Sequence, residues 1–168
     1  MGCAGSRTGL SAMTLAEEWA LGAKLHERLA LSNAGGSQDS TYLVAQIERL
    51  LAPAQGDFAA AARPWTAKLV LGAPFLATTL PGGVILVDRK LVTASETYGE
   101  FLGILAVQVA HGLDRHAAGQ VMGGLSQSAL RRLLRGEDDP ALDRMARNLI
   151  SADRAPYSLD DRNDAGRI

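Results

Sequence analysis

The chain has 168 residues, 47% of them apolar, with 17 basic against 18 acidic side chains and a formal net charge of −1. That length and apolar share suffice for one globular domain, and the charge balance argues against a phosphate-binding surface for nucleic acid. No run reaches the ~18 consecutive apolar residues that would span a membrane, and the single cysteine, Cys3, excludes a disulfide within the chain.

The N-terminal residues Met1-Gly2-Cys3-Ala4-Gly5-Ser6 resemble the end of a bacterial lipobox, in which the cysteine after glycine is lipidated; the same residues satisfy the Met-Gly-x-x-x-Ser myristoylation pattern. Next, Thr14 and Glu17 form a capping box ahead of Leu15, Trp19, Leu21, Leu25 and Leu29, predicting a helix over about 15–31 that ends at Asn33-Ala34-Gly35-Gly36. His26, beside Glu27 on this helix, reads as a half-exposed structural residue. A second helix is predicted from about Ser40 through Tyr42, Leu43, Val44, Ile47, Leu50 and Leu51, until Pro53 and Gly56 break it.

After Pro64 and Trp65 the alternation Thr66-Ala67-Lys68-Leu69-Val70-Leu71 predicts a strand. The β-prone run Phe75, Leu76, Ala77, Thr78, Thr79, Leu80 lies between Pro74 and Pro81, and proline at both ends suits an edge strand, where a missing amide breaks no ladder. Gly82 and Gly83 permit a tight turn with positive φ, and Val84 to Val87 returns as a short apolar strand.

Thr97 and Glu100 cap a long helix that buries Phe101, Leu102, Leu105, Val109 and Leu113 at the centre of the domain. Across 117–136, Gly119, Gly123 and Gly124 weaken any continuous helix. Arg131-Arg132-Leu133-Leu134-Arg135, followed by Glu137-Asp138-Asp139, reads as a solvated helix face. A last helix is predicted from Pro140 to about Ser151, with Leu142, Met145, Ala146, Leu149 and Ile150 inward, and the polar segment from Ser158 reads as a disordered tail.

One stretch carries more than local structure. Leu80-Pro81-Gly82-Gly83, a strand, and a helix ending Ala110-His111-Gly112-Leu113-Asp114-Arg115-His116 resemble the HtpX and CAAX prenyl protease family of gluzincin zinc metallopeptidases, and within it the small bacterial lipoproteins of the BepA and LoiP type. Thr8-Gly9, Ala20-Leu21-Gly22, Asp143-Arg144 and residues 145–157 resemble further stretches of the same family. In that family the helix carries His-Glu-x-x-His. Two histidines four residues apart share a helical face and bind one zinc, while the glutamate activates the metal-bound water.

Here those five positions read Val107, Gln108, Val109, Ala110, His111. Valine has no lone pair for a metal, and the Gln108 amide is too weakly basic to take a proton from water, a role worth ~10²–10⁴-fold in rate. The resemblance implies Asp139 at the position of the third ligand, a glutamate in the family, and Asp143 at that of the carboxylate that orients the first histidine. A replacement set of His111, Asp114 and His116 meets a geometric objection: on a continuous helix His116 lies about 140° round from His111.

The resemblance implies an α+β fold, a minimal gluzincin-like metallopeptidase domain with a small sheet packed on a central helix and two or three further helices. The domain is expected over 14–157, between an N-terminal tail over 1–13 and a polar tail over 158–168. The lost motif leads to a catalytically inactive metallopeptidase-like protein, without metal or cofactor, that binds a peptide or an envelope protein in the bacterial periplasm. Its membrane contact runs only through a lipid on Cys3. In the family the edge strand, here Phe75, Leu76, Ala77, Thr78, Thr79 and Leu80, pairs with an extended peptide. Two alternatives stay open: an active zinc metalloendopeptidase with a rewired site, and a structural domain that self-associates through that strand.

Overall fold

The computed structural model describes residues 13–29, 31–54, 64–135 and 137–150. It is a small α+β domain, as the sequence implies, in which seven α-helices and a four-stranded mixed sheet are described. Cys3, the tail from Ser158, the Ala-rich residues 58–62 and the 151–157 part of the C-terminal resemblance lie outside the described residues.

Helix α1, Leu15–Arg28, starts at the expected capping box: Thr14 accepts from the Glu17 amide, and Glu17 accepts from the Thr14 amide. The chain then forms a two-residue strand β1, Ser32–Asn33, where the sequence suggested only a helix stop. Helix α2, Ser37–Leu51, begins three residues earlier than expected, because Asp39 reaches back to the Gly36 amide at 2.8 Å.

The sheet has the order β1-β2-β4-β3, with β2 as Thr66–Leu71, β3 as Ala77–Leu80 and β4 as Val84–Asp88. β2 and β4 are parallel, whereas β1 and β3 pair antiparallel at the two edges. β3 is therefore an edge strand, as expected, but it is shorter than the 75–80 run. Pro81–Gly83 makes the tight turn into β4, with φ of 76° at Gly82 and 78° at Gly83. These are values that L side chains adopt only with strain.

β4 shows how the core is divided. Ile85 and Val87 pack with Leu43 and Ile47 of α2, and Leu86, pointing the other way, packs with Leu21 and Leu25 of α1. Both faces of this strand are covered, which explains its unbroken apolar run. At its end, buried Asp88 accepts from the Ala73 amide at 2.7 Å and the Lys90 amide at 2.8 Å, tying the β2–β3 connection down and capping a short helix α3, Arg89–Ala94.

Helix α4, Tyr98–Leu113, has the predicted Thr97–Glu100 capping box. Phe101, Leu105 and Val109 are buried in the α2 side of the core, while Leu102 and Leu113 are only half-buried. The glycine-bearing stretch corrects the sequence expectation, because His116–Gly124 is a continuous helix, α5. Burial of Ala118 and Val121 against the α1 side of the core, with Ala117 also buried, outweighs the ~1 kcal/mol that each interior glycine costs. Helix α6, Gln127–Leu134, exposes Arg131 and Arg132 and buries Leu133, and helix α7, Pro140–Ile150, completes the described chain.

Candidate functional site

Val107, Gln108 and His111 occupy the last two turns of α4. Val107 is 41% exposed, whereas Gln108 and His111 are 8% and 1% exposed. Gln108 is built into the packing of α4 on β3: the Thr79 hydroxyl donates to the Gln108 carbonyl at 2.7 Å and lies 3.2 Å from the side-chain Oε1. An amide suits such a place. A carboxylate there would be stripped of water and would favour its protonated form.

The expected divergence of His111 and His116 is corrected by the structure, because α4 does not continue through them. It stops at Leu113, and Arg115 takes a left-handed conformation at φ 57° and ψ 29° before α5 begins. For a residue other than glycine this costs roughly 1–2 kcal/mol. Three hydrogen bonds hold the corner in place. The Arg115 guanidinium donates to Glu18 Oε2 at 2.7 Å and to the Met13 carbonyl at 3.1 Å, and the other oxygen of Glu18 accepts from the Gly82 amide at 2.9 Å. Charge-assisted bonds contribute roughly 1.5–3 kcal/mol each, enough to offset the strained backbone.

Glu18 is the functional-looking residue that the sequence reading passed over. It is 1% exposed, and it joins three stretches that carry the resemblance: the first helix, the Pro-Gly-Gly turn and the Arg115-His116 pair. The close fit shows in two glycines. A Cβ on Gly22 would sit 2.0 Å from the Pro81 carbonyl oxygen, and one on Gly82 would sit 2.6 Å from Trp19. The signal was present, since a glutamate three and seven residues before Leu21 and Leu25 sits on the apolar stripe of α1, where only a paired charge is stable.

The corner turns His116 back onto His111, with 2.9 Å between the two Nδ1 atoms and the rings edge-to-face at 5.2 Å. Such a contact requires one ring to present N–H and the other a lone pair. Asp114 Oδ2 lies 4.0 Å from Nε2 of His116, its other nitrogen, so the three side chains are neighbours that do not converge on one point. Among the described residues, no group of three or more His, Cys, Asp or Glu is arranged to hold a metal ion.

Asp139 and Asp143 have partners of their own. Asp139 is buried, accepts from the Ala141 amide at 2.8 Å at the start of α7, and is ion-paired with Arg132. The amide and the guanidinium together hold its carboxyl below the usual carboxylate range. Asp143 is half-exposed and pairs with Arg28 of α1 at 3.0 Å, and Arg28 also reaches Asp138 at 2.5 Å. The carboxylate expected to orient a metal-binding histidine thus ties α7 to α1.

The expected peptide-binding run divides into two parts. Leu76 is 44% exposed and Phe75 half-buried, but Ala77, Thr78, Thr79 and Leu80 are all buried, at 9% exposure or less. Thr78 carries a hydroxyl with no hydrogen-bond partner.

Fold and geometry define a small α+β domain whose most constructed feature is the Glu18–Arg115–Gly82 junction beneath the end of α4. No protein-family model matches the chain, and a search of curated proteins gives no match.

Proposed function

We propose that this chain is a catalytically inactive metallopeptidase-like protein of the bacterial envelope that acts by binding a peptide or a partner protein. One observation carries the reading: apart from His111, the positions that the resemblance assigns to the zinc ligands and the base are unsuited to the role or committed to other partners. Val107 offers no donor atom, Gln108 is tied to Thr79, and Asp139 serves Arg132 and the start of α7. What is left is a domain whose turn, corner and central helix are held by buried hydrogen bonds, a framework suited to presenting a surface. Along the 75–80 run, Phe75 and Leu76 are the reachable part, and strand addition over 77–80 requires the covering of that edge to move.

A specific observation favours a second reading, an active zinc peptidase with a rewired site, because the corner brings His111 and His116 together. Elemental analysis of protein purified from zinc-containing medium separates the two. We expect far less than one zinc per chain and no hydrolysis of general protease substrates; one zinc per chain, lost on His111→Ala, establishes the second reading instead.

The proposed ancestry has its own test. Combining Val107→His, Gln108→Glu and Asp139→Glu supplies two ligands and a base, which with His111 complete three ligands, and should create zinc binding that no single change creates. A triple variant that melts cooperatively yet binds zinc no better than the parent would reduce the resemblance to the fold.

A further inference from the structure

A second site lies at the opposite end of α4. A pocket of about 400 Å³ opens between α2, β2, α3 and the first turn of α4. Tyr98, on its wall, stands thirteen residues before His111, about 20 Å along the helix axis, so this pocket is separate from the positions discussed above. It also gathers what a water-facing surface usually scatters. Of the seven large apolar side chains that are exposed among the described residues, three line this one pocket: Tyr42, Val92 and Tyr98, at 52%, 50% and 50%.

The Tyr98 wall is held by contacts of its own. The Tyr98 hydroxyl donates to Gln46 Oε1 at 2.5 Å, and its ring stacks on Phe101 with centroids 6.4 Å apart. The charged residues lining the pocket are Asp39 and Glu96, with no lysine or arginine among them. Arg49 acts on Tyr42 from outside the lining.

We propose that this pocket receives an arginine side chain presented by a partner protein. The volume suits one or two side chains rather than a folded element. Two phenol rings in the lining supply π-surface for a cation, Val92 supplies apolar surface for the methylene stem, and Asp39 and Glu96 bring negative charge to the same pocket. Arginine fits better than lysine because its planar, weakly hydrated guanidinium stacks on aromatic rings and meets a carboxylate through paired hydrogen bonds. The inference does not draw on the metallopeptidase reading, and the two can fail separately.

The test is a titration of isotope-labelled protein with four blocked tripeptides, Gly-X-Gly with X as Arg, Lys, Leu or Glu, followed through the backbone amides at low salt. The Arg peptide should shift Tyr42, Val92 and Tyr98 saturably, ahead of Lys, with Leu weaker still and Glu inert. Glu96→Gln should weaken Arg binding by about three- to five-fold, and raised salt should do the same. Val92→Lys, at an exposed position, should abolish it while leaving the rest of the spectrum in place. Equal binding of Arg and Leu peptides, tighter binding of Lys, or no effect of Glu96→Gln would overturn the assignment. Methylguanidinium binding as tightly as the Arg peptide would overturn the protein partner.

Discussion

Thr78 illustrates how much one atom decides in this domain. Its hydroxyl lacks a partner at a position that is 1% exposed, and a buried unpaired hydroxyl costs roughly 1–3 kcal/mol. Thr78→Val, which replaces it by a methyl group of similar size, should therefore stabilise the protein by about 1 kcal/mol, a rise of about 3 °C in melting temperature; a lower melting temperature would show the hydroxyl to be satisfied. His26 makes the opposite kind of statement. Burial, followed by the charge of Lys68, whose Nζ is 3.4 Å away, holds its imidazole below the usual range, with Glu27 opposing. Between that lowered pKa and the unfolded value of about 6.5 the unfolded chain binds the extra proton, so stability falls as pH drops through this window. His26→Gln should reduce the loss of melting temperature between pH ~7.5 and ~5.5; an unchanged loss would assign the acid sensitivity elsewhere. His26 is half-exposed, as its place beside Glu27 on α1 suggests, but Glu27 matters less to it than Lys68 from the sheet.

Among the elements, the corner between α4 and α5 is where local rules and tertiary demand conflict. Helix propensity gives no reason to stop at Leu113 or to put a left-handed arginine at 115. The stop is imposed by Glu18, a buried carboxylate that needs a cation and finds it only if the chain turns. Arg115→Ala should then be costly beyond its own contacts, by about 3 kcal/mol, because it leaves that carboxylate buried and unpaired. Adding Glu18→Gln to Arg115→Ala should restore part of the loss, which chemical denaturation of the four proteins of the cycle would measure. Strict additivity would mean that the pair does not hold the corner. Elements with their own end signals were legible beforehand. Thr14–Glu17 and Thr97–Glu100 start α1 and α4 as read, and Pro81-Gly82-Gly83 makes the turn. β1, two residues long, and α3, capped by Asp88 but only six residues long, were not legible.

At the scale of the whole molecule, β4 joins the two halves of the core, since its alternate residues belong to different clusters. Separating the halves exposes both faces of this strand, so its central amides, from Ile85 to Val87, should be among the slowest to exchange with solvent, near the global unfolding limit. Exchange there as fast as in the α6–α7 connection would show that the two clusters open independently.

The sequence by itself determined the two capped helices, the Pro81-Gly82-Gly83 turn and the edge position of β3, because each follows from the chemistry of residues close together in the chain; the α+β class came from the resemblance those residues carry. Only the tertiary structure decided that His116 folds back onto His111, that Asp139 and Asp143 serve Arg132 and Arg28, and that three aromatic and aliphatic side chains from separate helices close one acidic-rimmed pocket. These depend on a carboxylate on the first helix meeting a guanidinium 97 residues later, and on helices distant in sequence packing against one sheet. No local pattern records that kind of pairing, because what selects it is the cost of leaving a buried charge alone.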